Sequence, residues 1–123
     1  MKRQLIKLLG VAALAMPLLI AVRPVLAQPI GGTISHLDQV SARTTDTYRI
    51  ACRGGEQIRI QVRGDHDTDL DLYIYDASGN LLAWDDDLTD LCIVRFTPAT
   101  MGEFIIRIVN RGWVYNEYLL TVE

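Results

Sequence analysis

Nine aspartates crowd the stretch RGDHDTDLDLYIYDASGNLLAWDDDLTD, Arg63 to Asp90, at positions 65, 67, 69, 71, 76, 85, 86, 87 and 90. Carboxylates held a few ångströms apart repel one another by on the order of 1 kcal/mol per pair near a surface. A hard cation with oxygen ligands relieves that repulsion, and calcium accepts six to eight oxygens in flexible geometry. If Asp76 and Leu81 face each other across the DASGN turn, Leu72 lies opposite Asp85 and Asp71 opposite Asp86. The acidic segments DHDTD and DDDLTD then leave one end of a single hairpin, and Asp69, Asp71, Asp86, Asp87 and Asp90 become the candidate calcium ligands. The spacing of Asp65, Asp67, Asp69, Asp71 and Asp76 imitates an EF-hand loop, but Leu70 stands where that loop needs glycine and its second half reads as a strand. The competing reading is a solvated acidic rim that keeps strand ends soluble.

Aromatic residues form a second set. Trp84 is expected to pair with Tyr73 on the outer face of the hairpin, and Trp113 and Tyr115 to point outward on either side of an inward Val114. Exposed Trp and Tyr suit contacts with a protein or a carbohydrate; they equally well cover the ends of a small core. Catalytic chemistry finds little footing. His66 sits among aspartates and His36 on a first strand, no serine lies in a nucleophile-elbow context, and HExxH does not occur. The sequence therefore predicts a non-catalytic protein. Arg63-Gly64-Asp65 spells an adhesion tripeptide, which a turn at a strand end explains as well.

The elements that must hold these residues are strands. Short runs alternate apolar and polar side chains between turns, the pattern of an all-β domain. Ile58, Ile60 and Val62 alternate with Arg59, Gln61 and Arg63, so one face is buried and the other wet. Similar runs cover 32–37, 47–52, 69–75, 81–84, 91–97, 103–109 and 113–122, which makes eight strands. Residues 28–46 read as a lead-in carrying a weak first strand, and 47–123 as the sandwich. Cys52 and Cys92 share parity with core residues of their own strands. In an oxidising compartment such a pair is expected to form a buried disulfide, stabilising the fold by roughly 4 kcal/mol in the chain-entropy picture.

The compartment is read from the first 27 residues. Lys2, Arg3 and Lys7 precede an apolar run from Leu8 to Val22, and Val25-Leu26-Ala27 offers a small-residue cleavage signal before Gln28. This is the pattern of a cleaved signal peptide, too short for the ~20 residues of a spanning helix, and it predicts a periplasmic or secreted bacterial protein. Four of the twelve basic residues (Lys2, Arg3, Lys7, Arg23) leave with it, so eight arginines face fifteen acids and the remainder carries −7 with no lysine. Nucleic acids and anionic membranes, which need a basic footprint, are poor partners for such a chain.

The order of motifs DTYRIACRGGEQIRIQV, DTDLDLYIYDASGNLLAWDDD, IVRFTPATMGEFIIRIVN and NEYLLTV resembles the bacterial pre-peptidase C-terminal domain family over nearly all of the chain after the leader. The resemblance rests on Asp71-Leu72-Tyr73-Ile74-Tyr75, on Gly102-Glu103-Phe104 turning into a strand, and on Tyr118 before Leu120 and Val122. It implies a jelly-roll antiparallel β-sandwich that acts as an accessory module, binding or targeting to a secreted protein or extracellular polymer. Alternatives within that implication are calcium-dependent recognition of carbohydrate or matrix protein and a propeptide-like escort for a protease in trans. Relatives that bind collagen take calcium partly through an acidic N-terminal linker. Here QPIGGTISHL carries no carboxylate before Asp38, and Asp46 matches only one acidic position.

Overall fold

A computed structural model describes residues 22–27 and 33–123. The strands are β1 (Val22–Ala27), β2 (Ile34–Val40), β3 (Thr45–Cys52), β4 (Ile58–Arg63), β5 (Leu70–Asp76), β6 (Leu81–Asp85), β7 (Leu91–Phe96), β8 (Gly102–Asn110) and β9 (Asn116–Val122), and no helix occurs among the described residues. The leader reading falls on residues 1–27, of which only β1 is described. That segment runs parallel to β3 at one sheet edge, with Val25 beside Arg49 and Ala27 beside Ala51.

The eight strands β2–β9 are antiparallel and make two sheets. Sheet A runs β1-β3-β8-β5-β6 and sheet B runs β2-β9-β4-β7. Where the sequence suggests a weak first strand, β2 pairs with β9 along its whole length, from Ile34 opposite Val122 to Val40 opposite Asn116. Alternation explains the core. Tyr48 and Ile50 on β3, Leu72 and Ile74 on β5, and Ile106 and Ile108 on β8 are fully buried on the inner face of sheet A. Ile58, Ile60, Val62, Leu120 and Val122 oppose them from sheet B. Burying each such side chain contributes roughly 1.5–3 kcal/mol.

Two tyrosines bring polar atoms into this core and satisfy them there. Tyr118 donates to Asp46 Oδ2 at 2.6 Å, its hydroxyl meets that of Tyr48, and Tyr48 reaches Asp38 Oδ2 at 3.2 Å. Burial and the Asp46 carboxylate push the Tyr118 phenol far above its ordinary range.

The expected disulfide is corrected. Cys52 and Cys92 are both buried free thiols. Cys52 stands opposite Gly102 at one end of β8, whereas Cys92 Sγ donates to the carbonyl of Leu70, which pairs with Asn110 at the other end. Eight residues of strand separate those ends, about 26 Å at the ~3.3 Å rise of a strand. A disulfide needs Cα atoms within about 7 Å. Shared inward parity placed both thiols in the core, but parity says nothing about which end of a strand a residue occupies.

Candidate binding face

One end of the sandwich carries the acidic loops, and hydrogen bonding accounts for most of their carboxylates. Asp90 is buried, and its Oδ2 accepts the His66 backbone N–H at 2.5 Å and the Asn116 amide at 3.1 Å. The same Asn116 amide reaches Thr68 Oγ1 at 3.1 Å, while Asn116 Oδ1 accepts the Asp65 N–H at 3.0 Å. Asp65 Oδ2 in turn accepts the Glu117 N–H at 2.9 Å, so the Arg63-Gly64-Asp65 turn is built into this knot. Gly64 lets this knot close, because a Cβ would lie 2.3 Å from Asp90 Oδ2 and force the Asp90 and Asn116 side chains to shift. His66 adopts a left-handed backbone, φ 73°.

Four of the five candidate metal ligands, Asp69, Asp71, Asp87 and Asp90, lie near enough to repel one another, but they do not close into one site. Asp71 Oδ2 accepts Arg111 Nε at 2.6 Å, Asp87 Oδ1 accepts the Thr89 N–H at 2.9 Å, Asp90 faces inward, and Asp86 is exposed. Among the described residues no three His, Cys, Asp or Glu side chains gather closely enough to hold a metal ion. The calcium site read from Asp69, Asp71, Asp86, Asp87 and Asp90 is not assembled in this arrangement, in which Asp69 Oδ1 and Asp71 Oδ1 stay buried without a hydrogen-bond partner among the described residues. A guanidinium, an amide and backbone N–H groups take up oxygens that the sequence offers to a cation. Asp69 keeps the strain of the arrangement: partial burial, then repulsion from Asp71 and Asp87, raises its carboxyl above 3.8.

The outer face of sheet A is different in kind. Register places Thr47, Arg107, Tyr73 and Trp84 side by side across β3, β8, β5 and β6. Arg107 stacks on Tyr75, with its guanidinium carbon 5.2 Å from the ring centre. Arg111 donates both to Asp71 and, through Nη2, to the Tyr73 hydroxyl at 3.2 Å. These groups line a groove of about 730 Å³ together with Arg43, Thr44 and Thr45. Three of the eight arginines outside the leader thus meet in one place.

The groove's rim is held by loop chemistry. Arg43 has a left-handed backbone, φ 58°, donates to the Arg111 carbonyl, and lies 4.8 Å above the Trp113 ring. Asn110, fully buried, donates to the carbonyls of Val40 and Val114 and accepts the Gly112 N–H at 2.9 Å. Gly112 fits because its missing Cβ would lie 2.3 Å from Thr68 Cγ2. Trp113 is 81% exposed and Trp84 55%, and Tyr115 is also exposed.

The alternation places Tyr73 opposite Trp84, as the register bears out. Residues 111–115 are a loop, not the start of the last strand, so Val114 is exposed as well. Arg43, Arg107, Arg111 and Tyr75 also belong to this face, and no local motif marks them. Parity marks Arg107 as outward, but only cross-strand order shows that it stands between Thr47 and Tyr73.

A family model described as "Bacterial pre-peptidase C-terminal domain" matches residues 44–109. The chain belongs to that family. Among solved structures it is similar to the pre-peptidase C-terminal domain of a Bacillus anthracis collagenase, at 15% identity and a TM-score of 0.63, covering 83% of this chain and 94% of that one. It is also similar to PliG of Aeromonas hydrophila, a periplasmic inhibitor of g-type lysozyme, at 12% identity and a TM-score of 0.60, covering 84% and 98%. PliG of Escherichia coli, in mutant form, gives 12% identity and 0.54, covering 83% and 96%. No curated protein matches. At these identities the structural likenesses establish the fold.

Proposed function

We propose that this pre-peptidase C-terminal domain is an exported, non-catalytic module that binds another exported protein through the outer face of sheet A. The observation that carries the reading is the row Thr47–Arg107–Tyr73–Trp84, in which the Arg107 guanidinium and the Trp84 ring are exposed, Tyr73 is half-buried and Thr47 is buried. Arg and large aromatics concentrate binding energy at protein interfaces, because each covers much area with few rotamers to freeze. The leader pattern and the periplasmic PliG likenesses support a periplasmic or secreted location. The strand orders β3-β8-β5-β6 and β2-β9-β4-β7 support reading the sandwich as a jelly roll.

Recovered natively from the cell envelope, the protein is expected to elute above the mass of a single chain. The Tyr73→Ala, Trp84→Ala double variant is expected to elute at that mass. Elution as a single chain in both cases would refute the reading.

A second reading has a specific observation behind it. The likeness to PliG spans 98% of that chain, so a protein consisting of this sandwich acts as a lysozyme inhibitor there. Assay of a g-type lysozyme with the purified protein tests whether this chain inhibits too; undiminished lysis with the protein in excess excludes it.

A further inference from the structure

Of the three arginines in the sheet A groove, two are already engaged. Arg111 pairs with the buried Asp71, and Arg43 donates to the Arg111 carbonyl and lies over Trp113. Arg107 is exposed and has no carboxylate within 4 Å among the described residues. Across the sheet it is flanked by Thr47 and Tyr73, it stacks on Tyr75, and it also lines a shallower pocket with Asp76. Asp46, also at the groove, turns its carboxylate to Tyr118 beneath the sheet. The groove therefore presents net positive charge on a chain whose remainder after the leader is strongly acidic.

We propose that Arg107 is the anchor for a carboxylate of the protein partner, an Asp or Glu side chain received in the groove beside Thr47 and Tyr73. This rests on the proposed function of the same face and names the chemistry it selects. Stacking on Tyr75 fixes the guanidinium plane and leaves its N–H edges free to make the paired bonds that suit a carboxylate. The long acidic loops at the end of the sandwich keep the surrounding field negative, so an acidic partner is admitted only where this local reversal occurs.

The test follows the Arg107 Nε–H signal by NMR in the folded protein during titration with a six-residue glutamate peptide. A saturable shift is expected at Arg107 and at the Tyr73 and Tyr75 rings. A glutamine peptide of the same length should give none. Arg107→Gln should weaken glutamate-peptide binding about ten-fold or more, and Arg107→Lys should weaken it less. Shifts of equal size at Arg49, Arg59, Arg63 and Arg95 would mean diffuse charge attraction and overturn the inference. Tighter binding of hexagalacturonate at Arg107 would overturn it in favour of a polysaccharide carboxylate. A shift that follows protein concentration without peptide would overturn it in favour of self-association. A native complex lost on the Tyr73→Ala, Trp84→Ala change but intact in Arg107→Gln would remove the carboxylate anchor and leave the binding face standing.

Discussion

Arg111 Nε donates to Asp71 Oδ2 at 2.6 Å, from a half-exposed guanidinium to a carboxylate that is 5% exposed. The pair joins the loop after β8 to the outer face of β5 and sets one end of the groove. The hydrogen bonds to Asp71 and Tyr73 hold Arg111 charged. Arg111→Ala leaves the Asp71 carboxylate buried without its partner, and urea unfolding is expected to show a loss of about 2 kcal/mol. Adding Asp71→Asn should recover part of it, since the stranded charge is then gone. An Arg111→Ala protein as stable as the wild type would show that the pair contributes nothing.

Calcium is expected to do little. Asp71, Asp87 and Asp90 already accept hydrogen bonds from Arg111, Thr89, His66 and Asn116. Asp69 Oδ1 and Asp71 Oδ1 are left without a hydrogen-bond partner among the described residues, but a cation that needs six to eight oxygens would have to draw the others away from these donors. Melting followed with and without about 5 mM calcium should give the same midpoint, whereas a saturable rise abolished by Asp87→Asn would contradict this assignment.

The cysteines give a sharper test. Burial raises the Cys52 thiol to about 11, and burial together with Asp85 and Asp87 raises Cys92 higher still. Only the thiolate reacts readily with an alkylating agent. Neither residue should be modified at neutral pH in the folded protein, and both should be modified after unfolding without any reductant. Resistance of the unfolded protein until reductant is added would reveal the disulfide that the geometry excludes.

Asp76 closes the β5–β6 hairpin, accepting the Ser78 and Asn80 backbone N–H groups at 2.9 and 2.8 Å and the Asn80 amide at 2.9 Å. These bonds lower its carboxyl below 3.8, the Asn80 side chain contributing most. A depressed folded value means that the stabilisation is present above the unfolded value and is lost as pH falls through the folded one. The melting difference between wild type and Asp76→Ala should be full at neutral pH and should shrink as the solution is acidified below 3.8. A difference that stays constant to low pH would locate the effect in the alanine itself.

The fold was largely legible because alternation with period two marks each strand and its buried face. Ile58, Ile60 and Val62, and Tyr118, Leu120 and Val122, are inward as their spacing requires. The hairpin register was legible in part: Leu72 faces Asp85 as expected, but an irregularity between Ile74 and Tyr75 sets Leu81 opposite Tyr75 instead of Asp76. What escaped were relations between residues distant in sequence. Nothing local to Asp71 says that Arg111, forty residues on, will neutralise it. Nothing local to Cys52 and Cys92 says that they lie at opposite ends. The groove escaped for the same reason, because its residues come from three strands and the loops after β2 and β8, and the strands' order in the sheet is not their order in the chain.

The outer face of sheet A is the side proposed to meet a partner. The most direct test places a photo-crosslinking benzophenone amino acid at Trp84 on sheet A and, separately, at Leu37 on sheet B, which at 74% is more exposed than Trp84. After irradiation in the intact producing cell, position 84 is expected to give an adduct with a second protein, and position 37 none. Adducts from position 37 with none from position 84 would contradict the account.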